Sequence, residues 1–157
     1  MKLGKITGLL LLMSAQLSWA SWQLSVNDTH CEISQTVHLA NAASNYNVQI
    51  QFTVDSTDTL AFSAAGDAGA LSYLTIADNE ILSGTNTGFA LQHSDARDLF
   101  IMLRDFAAYR KRPIVVSANV DDAGTEVTGY IAAEDILDPF KKHSSCFNHL
   151  AAAMQRL

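Results

Sequence analysis

Asn47-Val48-Gln49-Ile50-Gln51-Phe52-Thr53-Val54-Asp55 alternates apolar and polar side chains without a break. A period of two places Val48, Ile50, Phe52 and Val54 on one side and the polar residues on the other. The run 47–55 therefore predicts an antiparallel strand with one buried and one wet face. Toward the N-terminus, Cys31, Ile33, Val37 and Leu39 repeat the pattern more weakly, and beyond the run Leu60, Phe62 and Ala64 give a short copy. Residues 66–69 break the series with Gly66 and Gly69, residues 71–77 resume it, and residues 83–88, made of Ser, Gly, Thr and Asn, predict a loop.

The period then changes. With Ser94 as N-cap, Ala96, Leu99, Phe100, Leu103 and Ala107 recur at the spacing of one helical face, and Asp95 and Asp98 suit the dipole of the first turn. Arg110, Lys111 and Arg112 crowd the end of that helix and Pro113 stops it. Two strands follow, Ile114–Val120 and Thr125–Ile131, joined by Asp121-Asp122-Ala123-Gly124, a hairpin turn whose Gly can take a positive φ. A last helical segment is expected from about residue 135 to the C-terminus, with Pro139 tolerable only in its first turn. The expected fold class is α+β: an antiparallel sheet or partly open β-barrel with two packed helices.

Residues 1–20 have the parts of a secretory leader in order. Lys2 and Lys5 form the basic region, Leu9 to Met13 with Ile6 and Thr7 the apolar region, and Ser18-Trp19-Ala20 the small-residue cleavage site. Cleavage after Ala20 would leave a mature chain of residues 21–157, expected to be one domain. The apolar stretch is shorter than the ~20 residues of a membrane span, and no later segment is long and apolar enough, so no membrane span is expected. Cys31 is too far from the cleavage site to be a lipidated cysteine, and a twin-arginine signal is absent.

Of 10 Lys and Arg and 16 Asp and Glu, the leader contains two of the basic residues, leaving the mature chain eight against sixteen, a formal −8. Residues 21–96 hold no Lys or Arg. Such an acidic surface argues against nucleic acid and anionic lipid as partners and favours solubility. The group Arg110, Lys111 and Arg112, next to Tyr109, is the local exception. It either complements a helix C-terminus or forms a docking patch for an acidic protein partner.

Cys31 and Cys146 are the two cysteines, near opposite ends of the mature chain, and an exported protein normally pairs an even count. Their bond would close a loop of over ~100 residues and stabilise the fold by about 4 to 5 kcal/mol in the chain-entropy model. The alternative is a Cys2His2 zinc set with His30 and His149. Adjacent His30 and Cys31 would point to opposite faces of a strand, which disfavours it.

No nucleophile elbow, phosphate-binding loop, dinucleotide fingerprint or zincin helix occurs, so no cofactor, metal or catalytic residue is assigned and the chain reads as a non-enzyme. Asp121 and Asp122 read as turn residues rather than a paired-carboxylate site, and His38, His93 and His143 as ordinary surface or half-buried residues.

Trp22-Gln23-Leu24, then Cys31, a strand-rich middle, a helix over residues 96–109 ending in basic residues, a hairpin, and finally Phe140, Cys146 and Leu150 form a sequence of features. This layout resembles the N-terminal domain of the MotY family, periplasmic flagellar motor proteins of sodium-driven polar flagella. The resemblance implies docking to a periplasmic ring around the flagellar basal body, with cell-envelope and motor components as partners. The family's OmpA-like, peptidoglycan-binding domain has no counterpart up to Leu157, so the expected role is docking without a cell-wall anchor. The alternative expectation, from small size, acidity and a disulfide, is a periplasmic inhibitor or immunity protein for an exported toxin or hydrolase.

Overall fold

The computed structural model describes residues 21–66, 71–77, 79–82, 89–110, 113–120, 124–134 and 136–156. The expected leader 1–20, the expected loop 83–88, and Asp121, Asp122 and Ala123 lie outside them. The elements in chain order are β1 (Gln23–Val26), β2 (His30–Ala40), β3 (Asn45–Asp55), β4 (Leu60–Gly66), β5 (Leu71–Ile76), β6 (Asn79–Leu82), β7 (Phe89–Gln92), α1 (His93–Asp105), β8 (Ile114–Val120), β9 (Thr125–Ile131), α2 (Asp138–Lys141) and α3 (Ser144–Gln155). The strands form one antiparallel sheet in the order β6-β5-β8-β9-β2-β3-β4-β7, with β1 added to β2, and the sheet curls into a half-barrel.

The alternating run becomes the middle of β3, where Val48, Ile50, Phe52 and Val54 are buried. β2 pairs with β3 over its whole length, from His30 opposite Asp55 to Ala40 opposite Asn45. Its weaker pattern has one cause: Gln35 takes an inward place between Ile33 and Val37 and is itself buried. Because β3 occupies one edge of β2, β1 and β9 must share the other. β1 pairs through Leu24 opposite Ile33, and β9 joins at Ala40 opposite Thr128. That junction needs Gly129, since a Cβ there would stand 2.1 Å from the His38 carbonyl oxygen.

Phe52 organises the core. Its ring lies 5.0 Å from Phe62, 5.1 Å edge-on from Phe100 of α1 and 6.1 Å from Trp22, and Phe100 in turn meets Phe140 of α2 at 6.1 Å. Each such pair contributes about 0.5 to 1.5 kcal/mol beyond the area it buries. Trp22 also donates its indole N–H to the Ala132 carbonyl at 2.8 Å, which fastens the N-terminal segment to the chain leaving β9.

The helices depart from expectation in three places. α1 begins at His93, so Ser94 lies inside the first turn rather than capping it, and its hydroxyl donates to the Asp95 carboxylate at 3.4 Å. Ala96, Leu99, Phe100 and Leu103 are buried as the spacing required. Beyond Asp105 the helix widens into a π-helical turn, Phe106–Arg110, in which Phe106 and Ala107 still pack on the core. The expected single C-terminal helix is two. Pro139 sits in the first turn of α2, but His143 is extended (φ −125°, ψ 99°) and its Nδ1 accepts the Cys146 N–H at 3.4 Å, capping α3 as a separate helix. β1, β6 and β7 were not anticipated; each has four residues, too few for a period to register.

Candidate functional site

Cys31 of β2 and Cys146 of the first turn of α3 are joined in a disulfide with Cα atoms 5.9 Å apart, inside the usual range. Both are buried, so the bond ties the long central strand to the C-terminal helix from within the core. With each sulfur bonded to the other, the alternative zinc set with His30 and His149 is not assembled. His30 turns away from Cys31, with Nε2 at 2.9 Å from Asn27 Nδ2 and 3.7 Å from Glu32 Oε2. Among the described residues, no three His, Cys, Asp or Glu side chains are placed to hold a metal ion.

His149 belongs instead to a polar lock on the β3–β4 turn. The Asp55 carboxylate accepts the Thr57 N–H at 2.9 Å, the Thr57 hydroxyl at 2.7 Å and the Thr59 N–H at 2.9 Å. Burial alone would raise the pKa of Asp55. The hydrogen bonds from Thr59 and Thr57 and the charge of His149 outweigh it and hold the carboxyl below its ordinary value. Asp58, at φ 59°, places one carboxylate oxygen 2.5 Å from His149 Nδ1 and accepts from the Arg156 guanidinium on the other at 2.7 Å. Arg156 also donates to the Thr57 carbonyl at 2.9 Å, and Arg97 of α1 donates to the Arg156 carbonyl at 2.5 Å. The lock fastens the end of α3 and the start of α1 to one turn. The bonds that hold α3 to the turn span about ninety to a hundred positions and the Arg97–Arg156 bond spans 59, so no spacing in the sequence announced it.

α1, with 13 residues, carries the chain about 20 Å away from this lock. At its far end lies a groove of about 410 Å³. Arg104 and Ala107 line one wall, and Glu134, Ile136, Leu137 and Lys141 lie across from them. Arg104 donates twice to Asp105, at 2.9 and 3.0 Å, and Lys141 reaches Asp138 at 3.3 Å. Tyr109, on the π-helical turn, is 84% exposed. The side chain of Arg110, and all of Lys111 and Arg112, lie outside the described residues, so the structure places the basic group only by its attachment to Tyr109.

The remaining histidine expectations resolve into structural contacts. His38 Nδ1 lies 2.5 Å from the Asn47 side-chain oxygen across the β2–β3 pair, and His143 caps α3. The His93 side chain lies outside the described residues. The groove itself could not be read from the sequence, because its walls are joined only when α1 packs beside the segment entering α2. Among the described residues, no helix is long and apolar enough to cross a membrane.

Comparison with protein-family models, with curated proteins and with solved structures finds no match to this chain.

Proposed function

We propose that the mature chain is an exported, non-enzymatic adaptor domain of the cell envelope that binds a protein partner through the end of α1. The MotY-like layout suggests the setting, a periplasmic ring around a flagellar basal body. The observation that carries the reading is Tyr109. A large amphipathic aromatic is 84% exposed on a π-helical turn, at the head of a basic run. π-helical turns are rare and concentrate at functional sites, and Tyr and Arg dominate the energetic centres of protein interfaces. The Cys31–Cys146 disulfide supports an oxidising compartment, because such bonds persist mainly outside the cytosol. The histidines whose side chains are described are engaged in structural contacts, which supports a scaffold rather than a catalyst.

The test is capture of a partner from envelope extracts by tagged mature protein, compared with a variant carrying Arg110→Ser, Lys111→Ser and Arg112→Ser. The wild type is expected to retain a stoichiometric envelope protein. The variant is expected to lose about 1 to 3 kcal/mol of binding, with a weaker salt dependence and an unchanged melting temperature. Equal affinity and equal salt dependence would remove the basic run from the interface, and no captured partner would overturn the adaptor role. A captured exported toxin or hydrolase would move the reading to an inhibitor.

A further inference from the structure

We propose that the pocket between the start of α1, the end of α3 and the β3–β4 turn binds a small hydroxylated organic anion, its carboxylate or phosphate held by Arg97 and Arg156. The inference is independent of the adaptor reading, whose docking surface lies at the other end of α1. The pocket has a volume of about 360 Å³, within the ~300 to 1,000 Å³ of small-molecule sites. Its lining carries two guanidinium groups, Arg97 and Arg156, against one carboxylate, Asp58, and all three are among the described residues. Asp58 cannot neutralise both cations, because His149 takes its Oδ1 and Arg156 its Oδ2. Asp95 and Asp98, in the first turns of α1, do not line the pocket.

Arg97 selects the sign of the occupant. Its side chain is only 17% exposed, yet among the described residues it hydrogen-bonds no carboxylate. The Asp98 carboxylate stands 3.5 Å from Nη2 and is 69% exposed, a distance and a setting in which water screens the pair. Nη1 donates to a neutral group, the Arg156 carbonyl, and Nε is buried with no hydrogen-bond partner among the described residues. Buried cations are normally paired and buried N–H groups normally bonded, so this guanidinium calls for an anion. Two oxygens of a carboxylate or phosphate fit its fork, and Arg156, which gives one bond to Thr57 and one to Asp58, has further N–H donors to add. The neutral groups of the lining set the rest of the ligand. The Thr57 hydroxyl donates to Asp55, so the Thr59 hydroxyl, 3.0 Å from it, is the donor of that pair and keeps its lone pairs for a hydroxyl of the ligand. Ser94 adds a second hydroxyl, and Leu60 and Ala153 an apolar wall.

The experiment titrates glycerol phosphate, glycerate and glycerol into protein 21–157 at constant ionic strength, read by calorimetry and by melting temperature. At least one of the two anions is expected to saturate a single site below ~10 mM and to raise the melting temperature, since a ligand bound only by the folded chain stabilises it. The tighter anion identifies the head group, and glycerol should do neither. Arg97→Gln should weaken binding at least about tenfold, with Arg156→Gln as the second variant if the first does not fold. Lys142→Gln removes one positive charge outside the pocket and should leave binding unchanged. No saturable binding of either anion below ~10 mM, or glycerol binding as tightly as the anions, would overturn the inference. So would wild-type affinity in both arginine variants, or an equal loss in Lys142→Gln. Binding that appears only after Leu157 is extended by Gly-Gly would overturn it as well, because the chain's own terminal carboxylate would then hold the site.

Discussion

Replacing both disulfide cysteines, Cys31→Ala with Cys146→Ala, should remove at least about a third of the stability of the fold. The bond closes a loop spanning 115 positions, and loop-closure entropy for that length corresponds to about 5 kcal/mol at room temperature. Domains of this size are stable by only about 5 to 15 kcal/mol, so the double variant would lose from about a third to all of its stability. Trp22 gives the assay, because it is the one tryptophan after residue 20 and is buried against Phe52 in the same core. Its fluorescence should report a single urea transition. With a slope of about 1 to 3 kcal/mol per molar urea, the midpoint should fall by roughly 2 to 5 M, and wild type under strong reductant should behave like the variant. A shift below about 0.5 M would mean that the polar lock and the aromatic core already hold α3 on β3, and the stabilising role given to the disulfide would be wrong.

Three further perturbations probe other joints of the structure. Gly129→Ala should cost several kcal/mol, roughly 3 or more, because its Cβ would stand 2.1 Å from the His38 carbonyl oxygen; a melting temperature within about 2 °C of wild type would contradict the close crossing of β9 and β2. His143→Ala should lose about 0.5 to 1 kcal/mol by removing the cap of α3, and His143→Asp should restore it or improve on it; thermal melts showing both variants equally weakened would refute the capping role. Asp55 has its folded pKa below the unfolded value of 3.8, so its contribution is full above that pH and is lost as pH falls through the folded pKa. The stability gap between wild type and Asp55→Asn should accordingly be constant near neutrality and shrink in acid, below about pH 4; a gap independent of pH in urea titrations would remove the role of the Asp55 charge.

What could be read from the chain itself was whatever repeats locally. Val48 to Val54 declared β3, and the hairpin Ile114–Val120 with Thr125–Ile131 appeared at its observed bounds, because alternation over seven or more residues has few other physical solutions. The disulfide was readable because two cysteines allow only one intramolecular pair. Gln35 weakened the pattern of β2 without changing its face, which shows how a single buried polar residue blurs a periodic signal. The break at His143 was hidden because one extended residue between two helical segments interrupts no pattern long enough to register. The lock of Asp58, His149 and Arg156 and the groove between Arg104 and Lys141 join residues far apart in sequence, so they exist only once the elements pack.

Site-specific photo-crosslinking in intact cells tests the docking role most directly. A photoreactive phenylalanine analogue at Tyr109, on the end of α1, would be compared with one at Tyr130, on the outer face of β9. The adaptor role predicts one discrete adduct with an envelope protein from position 109, lost when Arg104→Glu is added, and no equivalent adduct from position 130. Adducts of equal strength from both positions, or none from position 109, would contradict it.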